Sequence, residues 1–408
     1  MSKLTIPVFS VLLFFIACSD DDSDGPSIEV PATYTFERDG QSTVSFSGQT
    51  TRISMGEELI SAMMDFSISE AELLEMFRNE TANGGDADPF DETSLNNSEK
   101  SIKRKTAASR DFFSANTTEA SEIKADFEAW INGQVTEVFP NENTVASPGV
   151  AGQIADGSAT RYVNGDGLEY NQLVNKSLIG ALMVDQMLNN YLGVAVLDEA
   201  DNRTNNDAGI TATDANYTTM EHKWDEAYGY TYGLNANASD PNADLGADSF
   251  LNKYIGRVEG DDDFAGIAGE IFDAFKLGRA ALVAGDYTVR DEQANIIREK
   301  ISEVIAIRAV YYLQQGKIAL PDDRANTALY GTTFHDLSEG YGFIYSLRFT
   351  RQPNSDAPYF TKSEVDGFLE DLLGDGANGL WDVTDSTLDN ISEAIAAKFS
   401  FTVDQAGS

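Results

Sequence analysis

The segment Tyr170–Leu192 is apolar on nearly every face of a helix, with Leu173, Leu178, Ile179, Leu182, Val184 and Leu188 spread around its circumference. A helix with no polar side has to be surrounded, because any face left to water would expose apolar surface. The segments around it read mostly as further helices. Met55, Leu59, Ile60, Met63 and Met64 share a face from Ser54 onward, and Ser69, Glu70 and Glu72 open a short helix through Leu73, Leu74 and Phe77. Helical spacing recurs over 123–138, 264–283 and 294–315. Thr361 and Glu364 have capping-box form ahead of Val365, Phe368, Leu369 and Leu372, and a last helix begins near Thr387. Tyr34–Phe46 alternates around Asp39-Gly40 and reads as a β-hairpin. Residues 79–100, 140–166 and 235–263 are rich in Gly, Asp and Asn and read as loops. The expectation is an all-α, internally duplicated helical bundle over 31–408 with a small N-terminal β-hairpin.

The duplication rests on the chain's two histidines, which occur in matching phrases. His222-Lys-Trp-Asp-Glu226-Ala-Tyr228-Gly-Tyr-Thr-Tyr232 and His335-Asp-Leu-Ser-Glu339-Gly-Tyr341-Gly-Phe-Ile-Tyr345 both fit His-x-x-x-Glu-(Ala/Gly)-Tyr-Gly-aromatic-x-Tyr. Each comes after a long apolar helix and a loop, which gives duplicated units at about 166–260 and 264–350, with C-terminal helices over 361–400.

On a helix the His, the Glu and two small residues fall on one stripe: His222, Glu226, Gly229, Gly233 in the first copy and His335, Glu339, Gly342, Ser346 in the second. Facing stripes would bring two imidazoles and two carboxylates together, a ligand set suited to iron, zinc or manganese. Iron, or zinc, at His222, Glu226, His335 and Glu339 is thus one expectation. Glu221, Asp225, Asp336, Tyr228 and Tyr341 stand close in sequence as a second layer around such a site. The alternative is that each His–Glu pair is a hydrogen-bonded device holding helix register, with the glycines and aromatics serving close packing. No His-Glu-x-x-His, Gly-x-Ser-x-Gly or phosphate-loop motif is present, so an enzyme is not expected and a hydrolase is the residual catalytic option.

Residues 1–17 read as a signal peptide: Lys3, then an apolar run too short for a permanent membrane span, ending Phe15-Ile16-Ala17-Cys18. Cys18 is the only cysteine, which excludes a disulfide within the chain and fits lipidation at that residue. The acidic run after it, within a tether over 18–30, resembles a surface-export signal, so a cell-surface outer-membrane lipoprotein is expected, with a periplasm-facing one as the alternative. A formal charge of −39 speaks against nucleic acid as a partner, since phosphates would find nothing to neutralise them.

The stretches Gly167–Val174, Glu221–Gly229 and His335–Phe343 resemble a family of Bacteroidota lipoproteins carrying a domain of unassigned function, over about residue 30 to the C-terminus. In kind these are similar to imelysin-like envelope proteins, which are helical, duplicated, and linked to iron uptake. Their Gly-x-His-x-x-Glu motif is not reproduced. Met220 precedes Glu221 where Gly is needed, and the third place after each His is Asp225 or Ser338, with Glu one residue later. The resemblance implies surface handling of iron or a related nutrient beside a TonB-dependent transporter. The second functional expectation is a helical scaffold that docks such a transporter or captures an organic nutrient, with the His phrases purely structural.

Overall fold

Asp39 and Gly40 both take positive φ (53° and 75°) and close an antiparallel hairpin of β1 (Glu37–Arg38) and β2 (Gln41–Ser42). A two-residue loop of that kind matches the right-handed twist of the strands. This computed structural model describes residues 27–408, so the signal segment, Cys18 and most of the tether lie outside the described residues. Beyond the hairpin most of the regular structure is helical. No helix among the described residues is long and apolar enough to cross a membrane.

The first helix, α1 (Ser47–Ala62), starts seven residues before the expected Ser54. Its opening turns bury Gln49 and Arg52, polar residues that apolar periodicity does not register. Next come α2 (Glu70–Arg78), opened by the Ser69/Glu72 capping box, and α3 (Thr117–Gly133), capped by Asn116. The stretch expected to be a bare connection, 140–166, instead holds a second hairpin, β3 (Gly152–Asp156) and β4 (Ala159–Val163). Asp156 pairs with Ala159, which leaves Gly157-Ser158 as the turn, with Gly157 at φ 58°.

The apolar rod forms as one continuous helix, α4, running from Tyr170–Leu178 through π-helical stretches at Ile179–Val184 and Met187–Tyr191. It is buried on all sides, as its lack of a polar face requires. A Cβ at Gly180 would stand 2.5 Å from the Ser346 Cα, so the two backbones touch where a larger residue could not fit. The first His phrase forms α5 (Thr219–Tyr232), begun by a Thr218/Glu221 capping box. The supposed acidic loop 235–263 contains a further helix, α6 (Leu251–Glu259), which buries Leu251, Tyr254, Ile255 and Val258. After it come α7 (Ile267–Ala284) and α8 (Tyr287–Ile318), then α9 (Gly331–Ser346), which carries the second His phrase. The chain ends with α10 (Lys362–Gly374), α11 (Asp385–Ala396) and a short turn of helix at Val403–Ala406.

Packing is set by these faces. The 32-residue α8 lies against α7, α9 and α11, while α9 also lies along the N-terminal half of α4. The C-terminal half of α4 lies against α5, which packs in turn on α1 and α7. The core runs continuously from Tyr34 to Ala406. The all-α expectation is met, with two short hairpins where one was expected.

Candidate functional site

The two His phrases dock in the same way. Trp224 sits against Gly278 of α7 and Leu337, the matching residue, against Gly316 of α8; an added Cβ would lie 2.1 and 2.4 Å from those side chains. Gly229 receives Phe46 and Gly342 receives Lys176, each with a hypothetical Cβ at 2.4 Å. The small positions of both stripes therefore serve close helix contact, as their spacing suggested.

Their chemistry diverges. His222 Nδ1 donates to the Ser45 carbonyl oxygen at 3.0 Å, and its ring stacks on Tyr217 at 4.6 Å. Burial lowers its pKa. Glu226 accepts from Gln49 Nε2 at 3.1 Å and from Lys223 Nζ at 2.7 Å. Burial alone would raise the Glu226 carboxyl, but Lys223 and His222 outweigh it and hold it below its ordinary value.

The residues expected around this pair turn to other work. Asp225 and Glu221 converge on the fully buried Arg279 of α7, at 3.0 and 3.2 Å. Tyr34 donates to Asp225 at 2.7 Å, Arg38 pairs with Glu221 at 3.1 Å, and Arg279 donates to Thr43 Oγ1 at 3.0 Å. These bonds fasten the N-terminal hairpin onto α5 and α7. Tyr228 stacks face to face on Tyr34 at 3.7 Å and donates to the Ala238 carbonyl oxygen at 2.6 Å.

His335 is held differently. Its Nδ1 faces Glu169 at 3.2 Å and its Nε2 lies 3.9 Å from Glu339. Burial alone would lower the His335 pKa; the hydrogen bond and charge of Glu169, with Glu339 adding, raise it instead. Glu339 pairs at 3.2 Å with Lys176, which is 1% exposed. Burial would raise the Glu339 carboxyl, but Lys176 and His335 hold it at about 2. Asp336 goes the other way, to about 6, chiefly through burial and then through Glu339 and Asp156, with His335 opposing. Tyr341 turns toward α3, edge-on to Trp130 at 6.2 Å.

The four residues expected to share a metal are thus divided. His222 and Glu226 sit among α1, α5 and Tyr217, whereas His335 and Glu339 sit between α4 and α9. The physical reason is that each stripe packs against its own partner helix, α1 or α4, and the two stripes do not face each other. Among the described residues no group of three or more His, Cys, Asp or Glu side chains stands in position to hold one ion.

A cavity of about 580 Å³ opens beside the second pair, where His335, Asp336 and Glu339 meet Lys253 and Arg257 of α6 and Arg308 of α8. That size falls within the roughly 300–1,000 Å³ usual for small-molecule sites. Tyr311 and Tyr312 add an aromatic wall. Sequence reasoning missed the three cations. Lys253 and Arg257 lie in a stretch whose composition reads as loop, although Leu251, Tyr254, Ile255 and Val258 have helical spacing. Arg308 was visible as the one cation inside the run Val304–Val310 of an apolar helix face.

Comparison with curated proteins and with solved structures gives no match. A family match covers residues 31–402, from just before the first hairpin to the last helical turn. The chain belongs to the family described as domain of unknown function DUF4856.

Proposed function

We propose that this chain is a non-enzymatic capture protein of the bacterial envelope that holds a small organic nutrient in the cavity beside His335. The cavity itself is the observation that carries the reading: it opens over one copy of the repeated phrase and combines aromatic walls with charged groups. A concave surface with a few convergent polar groups is a feature of small-molecule sites. The competing proposal, iron or zinc at His222, Glu226, His335 and Glu339, asks for two pairs that converge, and their separate partner helices favour capture over it. A thermal-shift screen of the purified protein against sugars, amino acids and organic acids tests the reading. At least one compound is expected to raise the Tm by several degrees, as saturating ligand does. Gly260→Phe, which places a ring at the cavity wall, is expected to abolish that rise. No stabilising compound, or stabilisation indifferent to Gly260→Phe, sinks the idea.

The resemblance to Bacteroidota lipoproteins supports a place for this capture step: anchored in the outer membrane through a lipid on Cys18, facing outward, beside a TonB-dependent transporter. The sequence Phe15-Ile16-Ala17-Cys18 with its acidic sequel is the feature behind that proposal. Metabolic labelling with a palmitate analogue is expected to mark the wild type and not Cys18→Ser. Protease added to intact cells is expected to digest it. Label retained in Cys18→Ser would remove the anchor from the proposal, and protection from protease would turn the protein inward.

A further inference from the structure

Arg308 is 6% exposed, and among the described residues its guanidinium has neither an ion-pair nor a hydrogen-bond partner. Its Nε is sealed from solvent without an acceptor. The group lies against two aromatic rings set at 87° to each other, with Cζ 3.9 Å from the Tyr311 ring centre and 4.6 Å from that of Tyr312. Stacking of this kind fixes the plane of the guanidinium and leaves its in-plane N–H edge for another group. A largely buried cation without a counter-charge is disfavoured, and native interiors mostly avoid one. The chain holds 67 acidic residues against 28 basic ones, so a carboxylate was in ample supply. Buried Arg279, Arg290 and Arg351 each have at least one, and Arg52 and Arg298, which have none, donate to carbonyl oxygens; Arg308 has neither.

Arg308 is not isolated in this. Lys253 and Arg257, on α6, line the same cavity and also lack a carboxylate partner among the described residues. The Lys253 ammonium titrates below its ordinary value, first through burial and then through the nearby positive charge of Lys176, with Arg257 and Arg308 adding. Glu339, on the cavity wall, opposes the lowering at Lys253 by its charge but forms no ion pair with Lys253, Arg257 or Arg308. Glu339 is already engaged by Lys176 and faces His335. Asp261 and Asp336 complete the charged lining. Their presence disfavours a polyanion and suits a ligand with one oxyanion and several hydrogen-bond donors.

We infer that the cavity recognises a small organic anion, whose carboxylate or phosphate completes the unpaired Arg308 edge with Lys253 and Arg257 beside it. This rests on the capture reading and narrows it to a ligand class. The oxyanion takes paired N–H donors from the fixed guanidinium fork, and Tyr311 and Tyr312 hold that fork in place. The rest of the ligand lies toward Asp336 and Asp261, which accept from its hydroxyl or amine groups.

The test is calorimetric titration of the purified protein with glucuronate, pyruvate and benzoate, with glucose and benzyl alcohol as neutral counterparts and with inorganic phosphate. Three proteins are compared: wild type, Arg308→Met and Gly260→Phe. At least one organic acid is expected to bind wild type, to bind Arg308→Met at least about tenfold more weakly, and not to bind Gly260→Phe. A charge-assisted hydrogen bond of roughly 1.5–3 kcal/mol corresponds to a loss of that order or more. Unliganded Arg308→Met is expected to unfold at the same temperature as wild type or higher, because a lone buried charge has been replaced by an apolar side chain. This separates a ligand-binding arginine from a structural one, whose loss would lower the Tm. Phosphate binding as tightly as any organic acid would assign the site to the free ion and overturn the organic class. Neutral compounds that bind wild type and Arg308→Met alike, but not Gly260→Phe, would overturn the anion inference and leave capture standing. Absence of any binding, or binding unchanged by Gly260→Phe, would overturn both.

Discussion

Arg279→Met is expected to lower the unfolding free energy by about 3–5 kcal/mol, the usual consequence of removing one partner from a buried charge network. Arg279 is fully buried, and the carboxylates it serves, Asp225 and Glu221, have side chains 0% and 2% exposed. Without the guanidinium, Asp225 keeps only Tyr34 and the Ser45 amide as donors. Glu221 keeps Arg38 and the Thr218 amide. The stranded negative charge then favours proton uptake, so the deficit should shrink as pH falls. Adding Asp225→Asn to Arg279→Met should recover part of the loss, because the two sites share one network. Urea unfolding of the two single variants and the double checks this. A loss below about 1 kcal/mol for Arg279→Met would mean that the network does not hold the hairpin in place.

The second large effect concerns pH. Asp248 precedes α6, is 6% exposed, and accepts from the Phe250 amide at 2.8 Å. Burial pushes its carboxyl from 3.8 to about 7; Glu57 adds to this, and the backbone donors oppose it. A folded-state pKa above the unfolded one means that the folded protein holds the proton more tightly. The associated stability is fully present below about pH 4 and is lost as pH rises through about 7. Within that window each pH unit removes up to about 1.4 kcal/mol. Asp185, buried and raised to about 6, acts in the same direction. Unfolding free energies at pH 5 and pH 8 should therefore fall more steeply for wild type than for Asp248→Asn, which keeps the acceptor and removes the titration. Equal slopes would show that Asp248 ionises freely in the folded protein.

The rod at 170–192, the Asp39-Gly40 turn and the Thr218 and Thr361 helix starts could all be read from sequence, because each is a local rule obeyed locally. The features that escaped reading were polar. The first turns of α1 bury Gln49 and Arg52, and these bond to Glu226 and to the Ser101 carbonyl oxygen, groups brought near only by the finished fold. Helix α6 was hidden by the Asp-rich segments on either side of it. The second hairpin was masked by the Gly and Asn around it, though Gly157-Ser158 was its turn signal. The repeated phrase correctly marked two equivalent contacts through Trp224 and Leu337, but spacing along one helix could not reveal which neighbour each stripe would meet. The cavity was the hardest part to foresee, since Arg308, Lys253 and His335 come from three helices and signal nothing together in sequence.

The N-terminal hairpin closes within a few residues, yet Thr43 finds Arg279 236 positions later, and Tyr34 reaches Asp225 191 positions later. Contacts of such long range form late, because the intervening loop entropy is overcome only after downstream helices exist. A chain emerging from its amino end must therefore keep Tyr34, Phe36 and Arg38 waiting until α7 has been delivered. The hairpin, near the amino end of the described residues, is thus among the last segments to be secured.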